Sequence, residues 1–285
     1  MTAYAIMVAC AFVYALIPAM TKALRPCPPF LLVGLSSAFE AVLSGLAALA
    51  TGSFDGVFTS GVPVFAVIAG AFVSVVGAWF VIRGYDYMPI WRHQLFILVK
   101  PLVAACAAWV LFGETVGWEA LPAFILMSAG LLIAFNALRI GGGDSWRGTH
   151  ILIAASSFYA LLPVCLKGAV GTIPALAIVC LLSAGVSVLA LASSALFERH
   201  AWAACWRARF VLQLPLMAAT NALAVWLSVK GLAMLPVWQH QLILLSKPVI
   251  AALVARVVFS EPLTSRYGPA FALMAGGAAL LIVMR

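Results

Sequence analysis

The sequence predicts an all-α integral membrane protein with ten transmembrane helices arranged as two inverted five-helix repeats. Three observations predict it: a charge-poor composition, ten apolar runs of spanning length, and a duplicated pattern of polar residues. Of 285 residues, 66% are hydrophobic and 8% charged, whereas a soluble domain carries about 25% charge. Lipid rather than water is therefore the chain's main solvent.

A spanning helix needs about 20 mostly apolar residues. Runs broken by Gly, Pro and charge place helices near 3–21, 29–50, 61–83, 89–111, 117–138, 150–168, 173–196, 209–231, 236–258 and 265–284. The first run has no basic leader region and no convincing cleavage site, so it reads as a retained span. Between the fifth and sixth runs, Ile140-Gly141-Gly142-Gly143-Asp144 is polar and glycine-rich, which suits a linker. The expected organisation is a first repeat over 1–138, a linker over 139–149 and a second repeat over 150–285.

The duplication is legible residue by residue. Met88-Pro-Ile-Trp-Arg-His-Gln-Leu-Phe-Ile-Leu-Val-Lys-Pro101 matches Leu235-Pro-Val-Trp-Gln-His-Gln-Leu-Ile-Leu-Leu-Ser-Lys-Pro248 at an offset of 147. The register continues through Phe112-Gly-Glu114 against Phe259-Ser-Glu261, and backward through Trp79 against Trp226. Tyr14-Ala-Leu-Ile-Pro18 and Lys22 recur as Tyr159-Ala-Leu-Leu-Pro163 and Lys167, at an offset of 145. Five spans is an odd number, so the second half must cross the membrane in the opposite sense to the first. Halves so related can rock against each other and expose a midplane site to each side in turn.

The net charge of +8 does not imply nucleic acid, because the sixteen Lys and Arg are scattered singly at helix ends without a basic stripe. Six cysteines show no CxxC pair, and most lie in apolar runs. Neither a disulfide framework, a metal site nor a cofactor is expected. No Walker, GxSxG or HExxH motif occurs, which argues against direct use of ATP and against an intramembrane enzyme.

The ten spans, the duplicated half, Tyr-x-x-x-Pro and Lys around the first helix, and Pro101-x-x-Ala104-Ala105 followed by Phe112-Gly-Glu114 resemble the EamA-like group of the drug/metabolite transporter superfamily. That resemblance implies a transporter, not an enzyme. Members move amino acids, nucleotide precursors, vitamins, sugar phosphates and amines in either direction. The related four-span multidrug exporters carry a carboxylate eight residues before a lysine in their first helix. Tyr14 and Tyr159 occupy the positions that resemble it, which counts against proton-coupled cation export by that route.

Lys100 and Lys247 sit about ten residues into their spans, roughly 15 Å deep at about 1.5 Å per residue. A lysine there costs about 2.5 to 3.5 kcal/mol, so each should face a cavity or a counter-ion. As mates in the repeat, both can converge on one acid group, as the resemblance to sugar-phosphate transporters also implies. The competing reading is that each caps carbonyls freed by the adjacent Pro101 or Pro248, or snorkels. His93 and His240 lie seven residues earlier, on the same helix face, and can bond a substrate or pass a proton. Gln94 and Gln241 read as helix-to-helix hydrogen bonds.

Glu40 lies deep in the second helix, and its counterpart region, Ser183 to Ser187, has no acid. A structural ion pair is its first expectation, ahead of binding a substrate ammonium or a coupling proton, because the resemblance implies a peripheral second helix. Tyr14, Tyr159, Trp79 and Trp226 are candidates for an aromatic pocket wall, with packing as the ordinary alternative. Trp91 and Trp238 read as interface belt, and Glu114 and Glu261 as caps or salt-bridge partners.

The positive-inside rule places the termini outside the cytoplasm, whereas the resemblance implies the reverse, so the side stays open. The expected function is secondary transport of a small anionic or zwitterionic metabolite, such as an amino acid, organophosphate or phosphonate. Lys100 and Lys247 would hold the acid, and a proton gradient is one candidate driving force. The alternative is export of hydrophobic or cationic compounds. The expected partners are a small-molecule substrate and the lipid bilayer, in the inner membrane of a bacterium.

Overall fold

The computed structural model describes residues 2–24, 27–55, 57, 61–84, 86–87, 99–115, 117–140, 146–200, 202, 208–260 and 268–283. Its helices are α1 (Thr2–Ala23), α2 (Pro29–Ala50), α3 (Gly61–Gly84), α4 (Val99–Phe112), α5 (Leu121–Ile140), α6 (Trp146–Lys167), α7 (Ala175–Phe197), α8 (Ala208–Met234), α9 (Val237–Ile243), α10 (Lys247–Phe259) and α11 (Gly268–Val283). Among the described residues, α1, α2, α3, α6, α7 and α8 are long and apolar enough to cross a membrane. The helix Val99–Phe112 and the Leu121–Gly130 part of α5 are apolar but shorter. Of the expected fourth span, residues 89–98 lie outside the described residues. Helix α5 runs to Ile140 and α6 begins at Trp146, and residues 141–145 of the expected linker lie outside the described residues.

The ninth expected span, 236–258, is not one continuous helix. It divides into α9, a 3-10 turn over Leu244–Ser246, and α10. The physical reason lies at Pro248: proline has no N–H to offer the carbonyl four residues earlier, so the α-helical ladder cannot run through it unbroken. Three helices start by one device. Pro28, Pro174 and Pro236 sit extended at the caps of α2, α7 and α9, with ψ between 141° and 152°, and deliver the chain into the first turn. At the other end, α4 stops at Gly113 (φ 65°) and α10 at Ser260 (φ 53°). These are mates at the 147-residue offset, both in the left-handed conformation that closes a helix, but the second half does so without glycine.

The helix pairings repeat with the sequence. Helix α1 packs on α8 as α6 packs on α3; α1 meets α10 as α6 meets α4; and α2 pairs with α7 and α5 with α11. In lipid, helices associate by close packing and interhelical hydrogen bonds rather than by a hydrophobic drive, so small residues mark the contacts. A side-chain carbon added at Gly130 would meet Met274 and the Ala270 carbonyl at 3.0 Å. One at Gly277 would meet Met127 at 2.9 Å and the Ala123 carbonyl at 3.0 Å, the same contact in the other half. Large apolar side chains cover the outside: Phe65, Leu196, Leu212 and Trp118 are 71 to 87% exposed, as suits surfaces solvated by lipid tails.

Candidate functional site

A cavity of about 230 Å³ opens among α1, α2, α3, α6, α7, α8, the start of α4 and the α9–α10 break. Four of the sequence-predicted residues meet here as two crossed pairs. Lys100, at the start of α4, places its ammonium 4.6 Å from the Tyr159 ring on α6. Lys247, at the start of α10, places its ammonium 5.2 Å from the Tyr14 ring on α1. Each pair joins one half to the other, and all four residues line the cavity. Cation–π contact is worth about 0.5 to 2 kcal/mol, so it offsets part of the cost of placing a lysine among apolar helices without neutralising it. Gly77 makes the approach possible on one side, because a side-chain carbon there would stand 3.0 Å from the Tyr159 ring.

Glu40 also lines the cavity and is 3% exposed. It makes no ion pair among the described residues. Instead Asn221 Nδ2 donates to Oε1 at 2.9 Å and Ser183 Oγ to Oε2 at 3.2 Å. Helix α2 is consequently not peripheral here, because it packs along α7 and carries Glu40 to the centre.

His240 is 1% exposed at the cavity edge. Gln241 Nε2 lies 3.2 Å from its Nδ1 and Ser228 Oγ lies 2.9 Å from its Nε2. An amide nitrogen only donates, so Nδ1 accepts and the ring is the Nε2–H tautomer, donating to Ser228. Gln241 thus bonds its own neighbour rather than another helix. His93, the mate of His240, lies outside the described residues, as do Trp91, Gln94 and Glu261.

Trp79 and Trp226 do not line the cavity. Trp79 stacks on Phe30 at 6.0 Å and meets Phe80 edge-on at 4.9 Å, while Trp226 packs against the core with Lys230 5.9 Å from its ring. Trp238 is buried rather than at an interface. Glu114 acts as a cap: its Oε2 accepts from the Val237 N–H at 2.8 Å at the start of α9. Lys167 lies 3.9 Å from its Oε1 and also donates to the Leu232 and Leu235 carbonyls.

The sequence reading missed Asn221 and Ser74, which line the cavity at the 147-residue offset from each other. The available signal was Asn221 itself, an amide within the apolar run of α8. It also missed Glu198 of α7's end, buried and bonded by the Phe30 N–H at 3.2 Å and the Leu31 N–H at 3.1 Å, which caps α2 from the other half of the chain.

Membrane-length helices around a largely apolar cavity that carries a few charged and polar side chains define a multi-pass membrane protein. Residues 1–136 match the EamA-like transporter family. No curated protein matches the chain. A solved structure described only as "Crystal structure of protein" matches with a TM-score of 0.76 and 19% identity, covering 98% of this chain and 96% of that one. That likeness concerns the fold.

Proposed function

We propose that the chain is a secondary transporter that works by alternating access and carries a small anionic or zwitterionic metabolite. The observation that carries this reading is the pair of lysines, Lys100 and Lys247, each resting on a tyrosine of the opposite half and both lining one cavity. Two ammonium groups so placed are complementary to one acid group, such as the carboxylate of an amino acid or the oxyanion of a phosphate or phosphonate. Two inverted five-helix halves, 1–138 and 150–285 joined by 139–149, would exchange conformations to open the site to each side. A proton or substrate gradient would supply the drive. The proposed setting is the inner membrane of a bacterium.

The test is counterflow in proteoliposomes with a panel of acids, zwitterions and amines, repeated with Lys100→Ala and Lys247→Ala. A charge-assisted contact is worth about 1.5 to 3 kcal/mol, so each substitution should weaken transport of acid-bearing solutes by at least about tenfold. Transport indifferent to both changes would sink the reading.

A second reading, export of hydrophobic or cationic compounds, is favoured by Glu40, a carboxylate in the cavity with no cation on it among the described residues. It requires that cationic solutes move and that the lysines be dispensable.

A further inference from the structure

The charges lining the cavity are not matched to one another. Lys100 and Lys247 lie on tyrosine rings, and Glu40 makes no ion pair among the described residues. A carboxylate offers about four acceptor positions. Two neutral donors, Asn221 and Ser183, occupy Glu40, which leaves acceptor capacity in a group that lines the cavity.

A second, independent gap lies in the same cavity. Ser74 is 8% exposed, and its Oγ has no hydrogen-bond partner among the described residues. A buried polar group left so costs about 1 to 3 kcal/mol and is uncommon in a native fold, so a partner from the solute is the economical explanation. An uncompensated buried carboxylate costs more still.

The duplication sharpens the point. The N-caps Pro28 and Pro174 set the α2–α7 register at 146 residues, so the mate of Glu40 is Val186, which also lines the cavity. One mate is a carboxylate and the other is apolar, so the site has one acidic wall and distinguishes the ends of its solute.

We infer that Glu40, with Ser74, forms an ammonium subsite in the cavity that holds the lysine pair, so that the solute carries one primary ammonium and two negative charges. This rests on the lysines holding the acid. Two ammonium groups and one carboxylate are complemented charge for charge by such a solute. A simple monoanion leaves Glu40 unmatched, and a zwitterion with one acid group can be held by both lysines but supplies a single negative charge to the two of them. The fitting chemistry is an acidic amino acid or an aminoalkyl phosphonate or phosphate.

The experiment titrates the purified full chain, in detergent, with two pairs of compounds that differ in the amine alone: aspartate against succinate, and aminoethylphosphonate against ethylphosphonate. The expected result is that the amine-bearing member of each pair binds about tenfold tighter or better, the size of one charge-assisted contact. Glu40→Gln, which keeps the shape and can still accept from Ser183, should erase that preference, so that the two members of each pair bind alike. Ser74→Ala, which deletes one unpartnered oxygen and threatens the fold least, should narrow the preference by a smaller factor.

Equal binding within each pair by the unsubstituted protein, or a preference that survives both substitutions, overturns the ammonium subsite. Lys100→Gln and Lys247→Gln separate this from the parent reading, since they should weaken all four compounds. If they weaken all four and no amine preference exists, only the ammonium subsite falls. If they weaken none, or if no compound binds, the lysine reading falls and the subsite with it.

Discussion

Lys100 on Tyr159 and Lys247 on Tyr14 are the same contact made twice, whereas Glu40 is bonded by Ser183 and Asn221 with nothing equivalent at Val186. The two regions share one cavity. Under the proposed mechanism, their difference separates what each half would do in its turn from what the pair would do once. On the proposed alternating-access reading, a contact that swaps partners as the halves rock has to exist in both copies. A contact with one end of an unsymmetrical solute has no such requirement, and drift or selection is free to remove its mate. Glu198, a helix cap away from the cavity, also lacks a mate: at the 146-residue offset stands Gly52, which cannot cap anything with a side chain.

Glu198→Ala is the harshest probe of that contrast. It strips the acceptor from the Phe30 and Leu31 N–H groups and from Ser194 Oγ, three donors with no second copy to share the load. Orphaned buried donors cost about 1 to 3 kcal/mol each, less where water reaches them, so a net loss of about 3 kcal/mol is expected. A fall in Tm of several degrees in detergent checks it, and an unchanged Tm would show that α2 has another cap.

Tyr14→Leu and Tyr159→Leu address the duplicated contact. Each removes one ring from beneath an ammonium, worth about 0.5 to 2 kcal/mol, so affinity for acid-bearing solutes should fall by a few-fold to about thirtyfold. The two losses should be alike, and Tyr→Phe at either position, which keeps the ring, should change little. Strongly unequal losses would show that one lysine alone holds the solute.

Ser260→Gly is the mildest change and asks whether the second copy is poorer than the first. Ser260 holds φ 53° where its mate Gly113 holds 65°. A left-handed non-glycine residue costs about 1 to 2 kcal/mol, offset in part by the entropy glycine adds to the unfolded chain, so a gain of about 0.5 to 1 kcal/mol is expected. Unfolding monitored by tryptophan fluorescence would register it as a small rise in midpoint. Gly113→Ser should cost a similar amount.

Much of this was legible in the chain. The ends of α1, α2, α3 and α7 fall within about two residues of the apolar runs, since a spanning helix is fixed by local hydropathy and by proline at its start. The repeat also pointed to Lys100, Lys247, Tyr14 and Tyr159. It could not tell Tyr14 and Tyr159 from Trp79 and Trp226, because all four are aromatic mates within apolar runs. The division of the ninth span at Leu244–Ser246 was foreshadowed by Pro248 but read as continuous, because apolar content persists across it.

What the sequence alone determined is everything that depends on neighbours along the chain: membrane-length helices, their proline starts and the repeated pattern of polar residues. Only the tertiary structure decided which residues face each other. It joined Glu40 to Asn221 across 181 positions and to Ser183 across 143, and set each lysine on the tyrosine of the opposite half. The physical reason is that hydropathy is a local property that fixes each helix separately. Its rotation and partner are set by close packing at small residues and by buried polar groups that lipid cannot satisfy, and those are found only when the helices meet.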